Sequence, residues 1–300
     1  MKRQRTIYHP FNYSFTLMFD ELTEDFLEAI NAPGKFIRKA NTHVKLPGGK
    51  TGEMDAPYIA DPDGESIFET TAVIFEHQRD IVDPDKIFMM SNYVLQVIAD
   101  LRIPCIVLIG SHIEASKHMQ EIKRTSSLII RLQFLDLGER NNWERLNTIR
   151  NKIRFNKKLP AKDALNLGIV ILFAPEECAK ERTREAMHYF QELEFETTKL
   201  EFVLYSVFYC MIDAYFDDVD EYEEMMEMLD GKVGQKTKEE NAFRLRQENR
   251  LKIAYEERDK AISERDNVIS LVLSRVDDIK DGEIKKKLKS YKPHLNNKNI

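Results

Sequence analysis

From Phe11 to Ile30 the apolar residues Phe15, Met18, Phe19, Leu22, Phe26, Leu27 and Ile30 return every three or four positions. That is the spacing of one helical face, and "NAPG" ends it. The texture then changes to short apolar runs punctuated by turn residues, at Pro47 to Gly49 and again at Asp61 to Gly64. The pattern predicts two strands, roughly 53–60 and 67–78, joined by a hairpin-like loop. Asp83 can cap a following helix whose first turn suits Pro84, and the apolar periodicity carries that helix to about Arg102. "IPCIVLIGS" is a short continuous apolar run, as expected of a strand buried on both faces. After a short polar helix, "SLIIRLQFLDL" reads as another strand. Helix, strand, strand, helix, strand, helix, strand predicts an α/β core, a mixed central sheet flanked by helices, over residues 1–140.

Beyond residue 140 the strand patterns stop. Residues 142–154 read as a helix carrying the single tryptophan, Trp143, and 162–230 read as helical, with "ILFAP" ambiguous. This helical region, 141–234, ends at Gly231 and Gly234. From Lys236 to about Val276 there is neither proline nor glycine. Tyr255, Ile262, Ile269 and Val276 recur every seventh residue, with Leu251, Val272 and Ile279 on the companion positions. Arg258 and Arg265 interrupt the companion row, so 235–280 is expected to be a charged helix or weak coiled coil, one route to a homo-oligomer. The basic tail, 281–300, is expected to be disordered.

Composition narrows the classes. A chain of 300 residues with 42% apolar content can bury a full core, and 32% charged residues agree with a long solvated helix. Cys105, Cys178 and Cys210 are far apart and form no CxxC pair, which argues against zinc and disulfide frameworks. The N-terminus has no apolar signal region, and Phe202 to Phe216 is too short and polar to span a bilayer, so a cytoplasmic protein with no membrane partner is expected. A net charge of −6 disfavours indiscriminate attraction to nucleic acid. Cations nevertheless gather in "RNKIRFNKK" (150–158) and "KKKLKSYK" (285–292), and acids in "DDVDEYEEMMEMLD" (217–230). Such basic runs can hold phosphates, although most charge runs are solvated faces.

The candidate chemistry lies in "TTAVIFEHQRD", where an apolar strand ends in Glu76, His77 and Gln78. Side chains alternate along a strand, so Glu76 and Gln78 share a face with Phe68, Thr70, Ala72 and Ile74, and His77 points the other way. Asp55, in "GEMDAP" on the preceding strand, can approach Glu76 if the two strands pair antiparallel. Two carboxylates beside an exposed main-chain carbonyl form a hard oxygen site suited to magnesium. An ion there would polarise a phosphodiester and acidify a bound water. Gln78 could orient that water or touch a phosphate oxygen. The register decides the matter. A tight turn centred on Asp63 and Gly64 sets Asp55 opposite Ala72, some 13 Å from Glu76 at about 3.3 Å per residue. The acids meet only if the loop is centred nearer Glu65 and Ser66, or through a bulge.

Plainer roles compete for each residue. Asp55 and Glu76 could be strand-end acids paired with Lys50 or Arg79, and His77 a structural histidine. Glu53, on the face of Asp55, and Glu28, on the first helix, are auxiliary acids or ordinary surface acids. Tyr93 is either core or cleft wall. Ser111, His112 and Asp136 make a hydrolase triad only on paper, since "IGSHI" lacks the GxSxG context. No P-loop, dinucleotide fingerprint or zinc spacing occurs.

Asp55, a hairpin containing "DGE", and "FEHQ" after an aliphatic strand, between a first helix "NYSFTLMFDE…FLEAIN" and a following helix and buried strand, resemble the PD-(D/E)xK nuclease superfamily. The wording is similar to the transposase and recombination-promoting nuclease branch, over about residues 10–136. The resemblance implies a restriction-endonuclease-like core with Asp55, Glu76 and the main-chain carbonyl of His77 as ligands of Mg2+ or Mn2+. It places Gln78 where the superfamily has lysine, and Met54 where it often has proline. The expected function is then a metal-dependent DNA endonuclease linked to mobile elements or recombination, gripping DNA through basic segments after residue 140. An RNA nuclease is a third option. The main alternative is an inactive nuclease-fold protein that binds nucleic acid or oligomerises.

Overall fold

The computed structural model describes residues 3, 7, 9–45, 51–61, 70–123, 129–155 and 158–274. The first apolar face folds as two helices, α1 (Pro10–Glu21) and α2 (Thr23–Ala29), where one was expected. Leu22 leaves helical geometry at φ −133° and ψ 48°. Beside it, Thr23 Oγ1 donates to the Phe19 carbonyl at 2.6 Å, a side-chain contact of the kind that bends helices. The apolar spacing survives the bend, because Phe15, Met18, Phe19, Phe26, Leu27 and Ile30 are all buried.

Six strands form the central sheet: β1 (Lys35–Lys39), β4 (Ala56–Asp61), β5 (Thr71–His77), β6 (Cys105–Ser111), β7 (Glu121–Lys123) and β8 (Ile129–Asp136). A separate two-stranded ribbon pairs β2 (His43–Lys45) with β3 (Thr51–Glu53). The sheet order is β1-β4-β5-β6-β8-β7. β5, β6 and β8 are parallel; β1, β4 and β7 run against their neighbours. The sheet is therefore mixed, with helices on it, as the pattern predicts. Helix α3 (Pro84–Leu101) is the crossover between β5 and β6. Four short strands were not foreseen. β1 is mostly exposed and rich in cations, and β2, β3 and β7 span three residues each, too few to display an alternation. The expected strand 53–60 begins at Ala56, because Met54 and Asp55 lie between β3 and β4. Of the expected 67–78, the described ladder is Thr71–His77, and the turn at 61–64 lies, Asp61 apart, outside the described residues.

The remaining helices are α4 (Glu139–Phe155), α5 (Ala161–Leu172), α6 (Ala179–Glu192), α7 (Thr198–Tyr215), α8 (Val219–Lys232) and α9 (Gln235–Ser274). "ILFAP" closes α5, with Phe173 and Ala174 buried before Pro175. Leu165, Leu167 and Ile169 to Leu172 are fully buried, so α5 is a core helix. Gly168 permits this, since a Cβ there would stand 3.1 Å from Met18 Sδ and 3.4 Å from Val207. By contacts the chain divides into two units. Met1–Val44 with Thr51–Phe243 is one, holding the sheet together with α4 to α8; Lys45–Lys50 with Arg244–Ile300 is the other. Along the second part of α9, Leu251, Ile253, Val268 and Leu271 are exposed and Ile262 is half-buried. Val276, Ile279, the basic run 285–292 and the tail 281–300 lie outside the described residues. Among the described residues no helix is long and apolar enough to cross a membrane.

Candidate active site

Every residue of β5 is buried, including the polar ones at its end. The β4–β5 ladder runs from Ala60 opposite Thr71 to Ala56 opposite Phe75, so the next pair outward is Asp55 and Glu76. This is the register of a loop centred between residues 65 and 66, the condition under which the two acids meet. They do meet: the Asp55 amide donates to Glu76 Oε1 at 3.3 Å, and the His77 amide donates to Asp55 Oδ2 at 2.9 Å. A residue's amide and carbonyl point toward the same neighbouring strand, so the His77 carbonyl also faces the Asp55 edge, beyond the end of β4. Across the rim, the Gln78 amide donates to the Gly110 carbonyl at 3.0 Å. Gly110 lies under the Phe75 ring, where a Cβ would come within 3.0 Å of the aromatic carbons.

Lys50 lies outside the described residues, and among those the cation at this rim is not Arg79. It is Lys86, whose Nζ stands 3.2 Å from Glu76 Oε2. Helix α3 places it. Asp83 Oδ1 accepts the Lys86 amide at 2.7 Å and Pro84 fills the first turn, so the cap predicted from sequence also fixes the third helical residue against the end of β5. Glu76 is 1% exposed. Burial first, and then the nearby Asp55 carboxylate, push its pKa from the ordinary 4.5 to about 8, against the opposing pull of Lys86. Tyr93, on the same helix, donates to the Glu53 carbonyl at 3.4 Å. Burial and the charges of Glu76 and Asp55 push its hydroxyl up to about 12, which puts Tyr93 in the wall beside the acids. Lys86 was not singled out in the sequence. The available signal was its place in the first turn of a helix, where the backbone dipole disfavours cations unless an anion compensates.

Arg79 turns away from the acids. Its guanidinium lies 3.8 Å over the Phe11 ring and donates to the Tyr215 hydroxyl at 2.8 Å, tying the end of β5 to α1 and α7. His77 points to the face opposite Glu76, stacked on Phe15 and edge-on to Phe173. Burial, reinforced by Arg79, holds its pKa down at about 3, and its Nε2 has no hydrogen-bond partner among the described residues. His77 is thus a neutral packing residue whose backbone, not its ring, borders the site. Gln78 is half-buried. The acids weighed beside Asp55 go elsewhere. Glu53 is exposed and belongs to the β2–β3 ribbon, so the strand alternation expected to place it with Asp55 is broken. Glu28 pairs with Lys162 at the mouth of a different cavity, between α2, α4 and α5. Ser111 is buried and its Oγ accepts the Ile113 amide, while Asp136 Oδ1 accepts the Gly138 amide. Both are turn-forming side chains, and no triad assembles from them and His112.

Among the described residues no group of three or more His, Cys, Asp or Glu side chains could hold a metal. The candidate donor set is smaller: two carboxylates and a carbonyl. Its charge balance still fits a divalent cation. Lys86 stands at Glu76, whose carboxyl is pushed up first by burial and then by the Asp55 carboxylate, a repulsion that a cation between the two acids would relieve. No protein-family model matches the chain, and neither the curated proteins nor the solved structures provide a match.

Proposed function

We propose that the protein is a divalent-metal-dependent nuclease that hydrolyses phosphodiester bonds in DNA. What carries this reading is the contact between Asp55 and Glu76 at the end of the β4–β5 ladder, with Lys86 at the same carboxylate. Asp55, Glu76 and the His77 carbonyl would hold Mg2+ or Mn2+, which when bound acidifies water and polarises a phosphate oxygen. Lys86 supplies the positive charge that the PD-(D/E)xK resemblance assigns two residues after the glutamate and that Gln78 lacks. Gln78 then hydrogen-bonds the attacking water or a phosphate oxygen. Beyond residue 140, exposed Arg150 and Arg154 with Phe155, 91% exposed, offer cations and an aromatic face to the nucleic-acid backbone. Cys105 and Cys210 are free thiols, which suits a reducing, cytoplasmic setting. Linkage to mobile elements or recombination follows from the resemblance alone.

The test is nicking of supercoiled plasmid by the full chain with magnesium or manganese, set beside the same reaction on RNA. Asp55→Ala and Glu76→Ala are each expected to lose at least about 100-fold in rate, and Lys86→Met about as much. Equal nicking by all four proteins removes the reading. Burial of Glu76 against Lys86 favours one competitor, an inactive module in which the acids and the lysine only knit the rim. Wild type that retards DNA on a gel without nicking it, under either metal, establishes that competitor.

A further inference from the structure

The outward face of α3 carries a pattern that the nuclease reading does not use. Asp85, Phe88, Asn92, Leu95 and Ala99 succeed one another at three- and four-residue steps, so they form one line along the helix, and Arg102, the left-handed C-cap, stands at its end. On that line Phe88 is 44% and Leu95 38% exposed, and neighbouring Ile98 is 40% exposed. Asp85, Ala99 and Arg102 are exposed as well. Between the terminal charges the line carries none. Asp100 lies off it, bonded by Gln96 Nε2 at 2.9 Å. From Phe88 to Ala99 the stretch runs about 16 Å at about 1.5 Å per residue, three turns of contact rather than a stray exposed residue.

We infer that this face binds a second copy of the chain, with the two α3 helices antiparallel about a two-fold axis crossing between Tyr93 and Val94. The order of residues selects the occupant and the direction. About that axis Asp85 faces the partner's Arg102, Phe88 faces the partner's Ala99, and Asn92 faces the partner's Leu95. Each large apolar side chain meets a smaller one, and each charge meets its opposite at both ends of the contact. A parallel pair sets Asp85 against Asp85 and Arg102 against Arg102. Antiparallel helices also oppose their dipoles favourably. A surface that complements itself under a two-fold axis is what a closed homodimer needs.

Sedimentation equilibrium on the full chain tests this, over about 1 to 100 µM, where a contact of one helix pair should dissociate. Wild type is expected to dimerise. Leu95→Lys, Asp85→Arg and Arg102→Asp should each weaken association at least about 10-fold, and the double variant Asp85→Arg/Arg102→Asp should recover most of it. Asp is a fair substitute at position 102, whose φ of 58° is in the left-handed region that Asp tolerates. Circular dichroism on each variant confirms that it remains folded. A wild type monomeric throughout overturns the inference. So does a dimer indifferent to all the variants, the outcome expected if α9 alone joined the protomers. Weakening by each single reversal without recovery in the double excludes the antiparallel register.

Discussion

Glu76 is a side chain on which burial and Asp55 act in one sense and Lys86 in the other. Its consequence for stability has a definite sign. Below pH 4.5 the glutamate is protonated folded or unfolded, and it contributes nothing to the pH dependence. Between 4.5 and about 8 the unfolded chain has released the proton that the native site still holds, so stability falls as pH rises. Above about 8 the loss levels off, at a total of roughly a few kcal/mol. Denaturant titrations from pH 5 to 8 without metal should show this decline, and Glu76→Gln should abolish it and raise stability at pH 8. An unchanged slope in Glu76→Gln would remove the buried-acid account. With magnesium present the ionised carboxylate gains a partner, and the wild-type decline should flatten. Lys86 stands in this balance as the cation that limits the shift, which is why its loss should affect both rate and pH profile.

The elements show how much of this was legible beforehand. Helix α3 could be read from "DPDK", and its cap forms as the residues dictate. The same cap sets Lys86, so Asp83→Ala should cost about 1 kcal/mol, or about 2–4 °C in melting temperature. It should also slow nicking more than that loss of stability explains, while Asp83→Ser restores both. A normal rate in Asp83→Ala would separate the cap from the site. The pairing of Asp55 with Glu76 was legible as a condition: sequence alternation put Glu76 at the rim, but only the three-dimensional ladder selects among loop centres. Lys86 left only the weak signal of a cation in a helix's first turn, because its contact depends on how α3 folds back across the end of β5, which no periodicity encodes. Glu53 misled because alternation holds only within one continuous strand, and the chain leaves the ladder at Met54 and Asp55. β1, β2, β3 and β7 were missed for want of length or burial, as edge and ribbon strands carry little apolar signal.

On the scale of the molecule, the sheet and α4 to α8 share one compact unit, and the chain's first residues help to hold it. Asp213 lies in the last turn of the largely apolar α7 and is wholly buried. Such a charge persists only with strong partners. Arg3 provides them: its Nη1 donates to Asp213 Oδ1 at 2.7 Å and its Nη2 to the Asp213 carbonyl at 2.7 Å. The Ile7 amide donates to Asp213 Oδ2 at 3.0 Å, and the Arg3 guanidinium lies 3.8 Å over the Tyr222 ring of α8. One arginine thus joins the N-terminal segment to two helices far along the chain. Removing it leaves the carboxylate buried and short of its main partner, so Arg3→Ala should cost about 3–5 kcal/mol. That corresponds to a melting temperature lower by roughly 6–20 °C. If the uncompensated charge is the cause, neutralising it must relieve the loss, and Arg3→Ala/Asp213→Asn should melt higher than Arg3→Ala alone. Equal melting of the single and double variants would mean that the loss arises from packing on Tyr222 rather than from the buried acid, and a scanning calorimeter distinguishes the two.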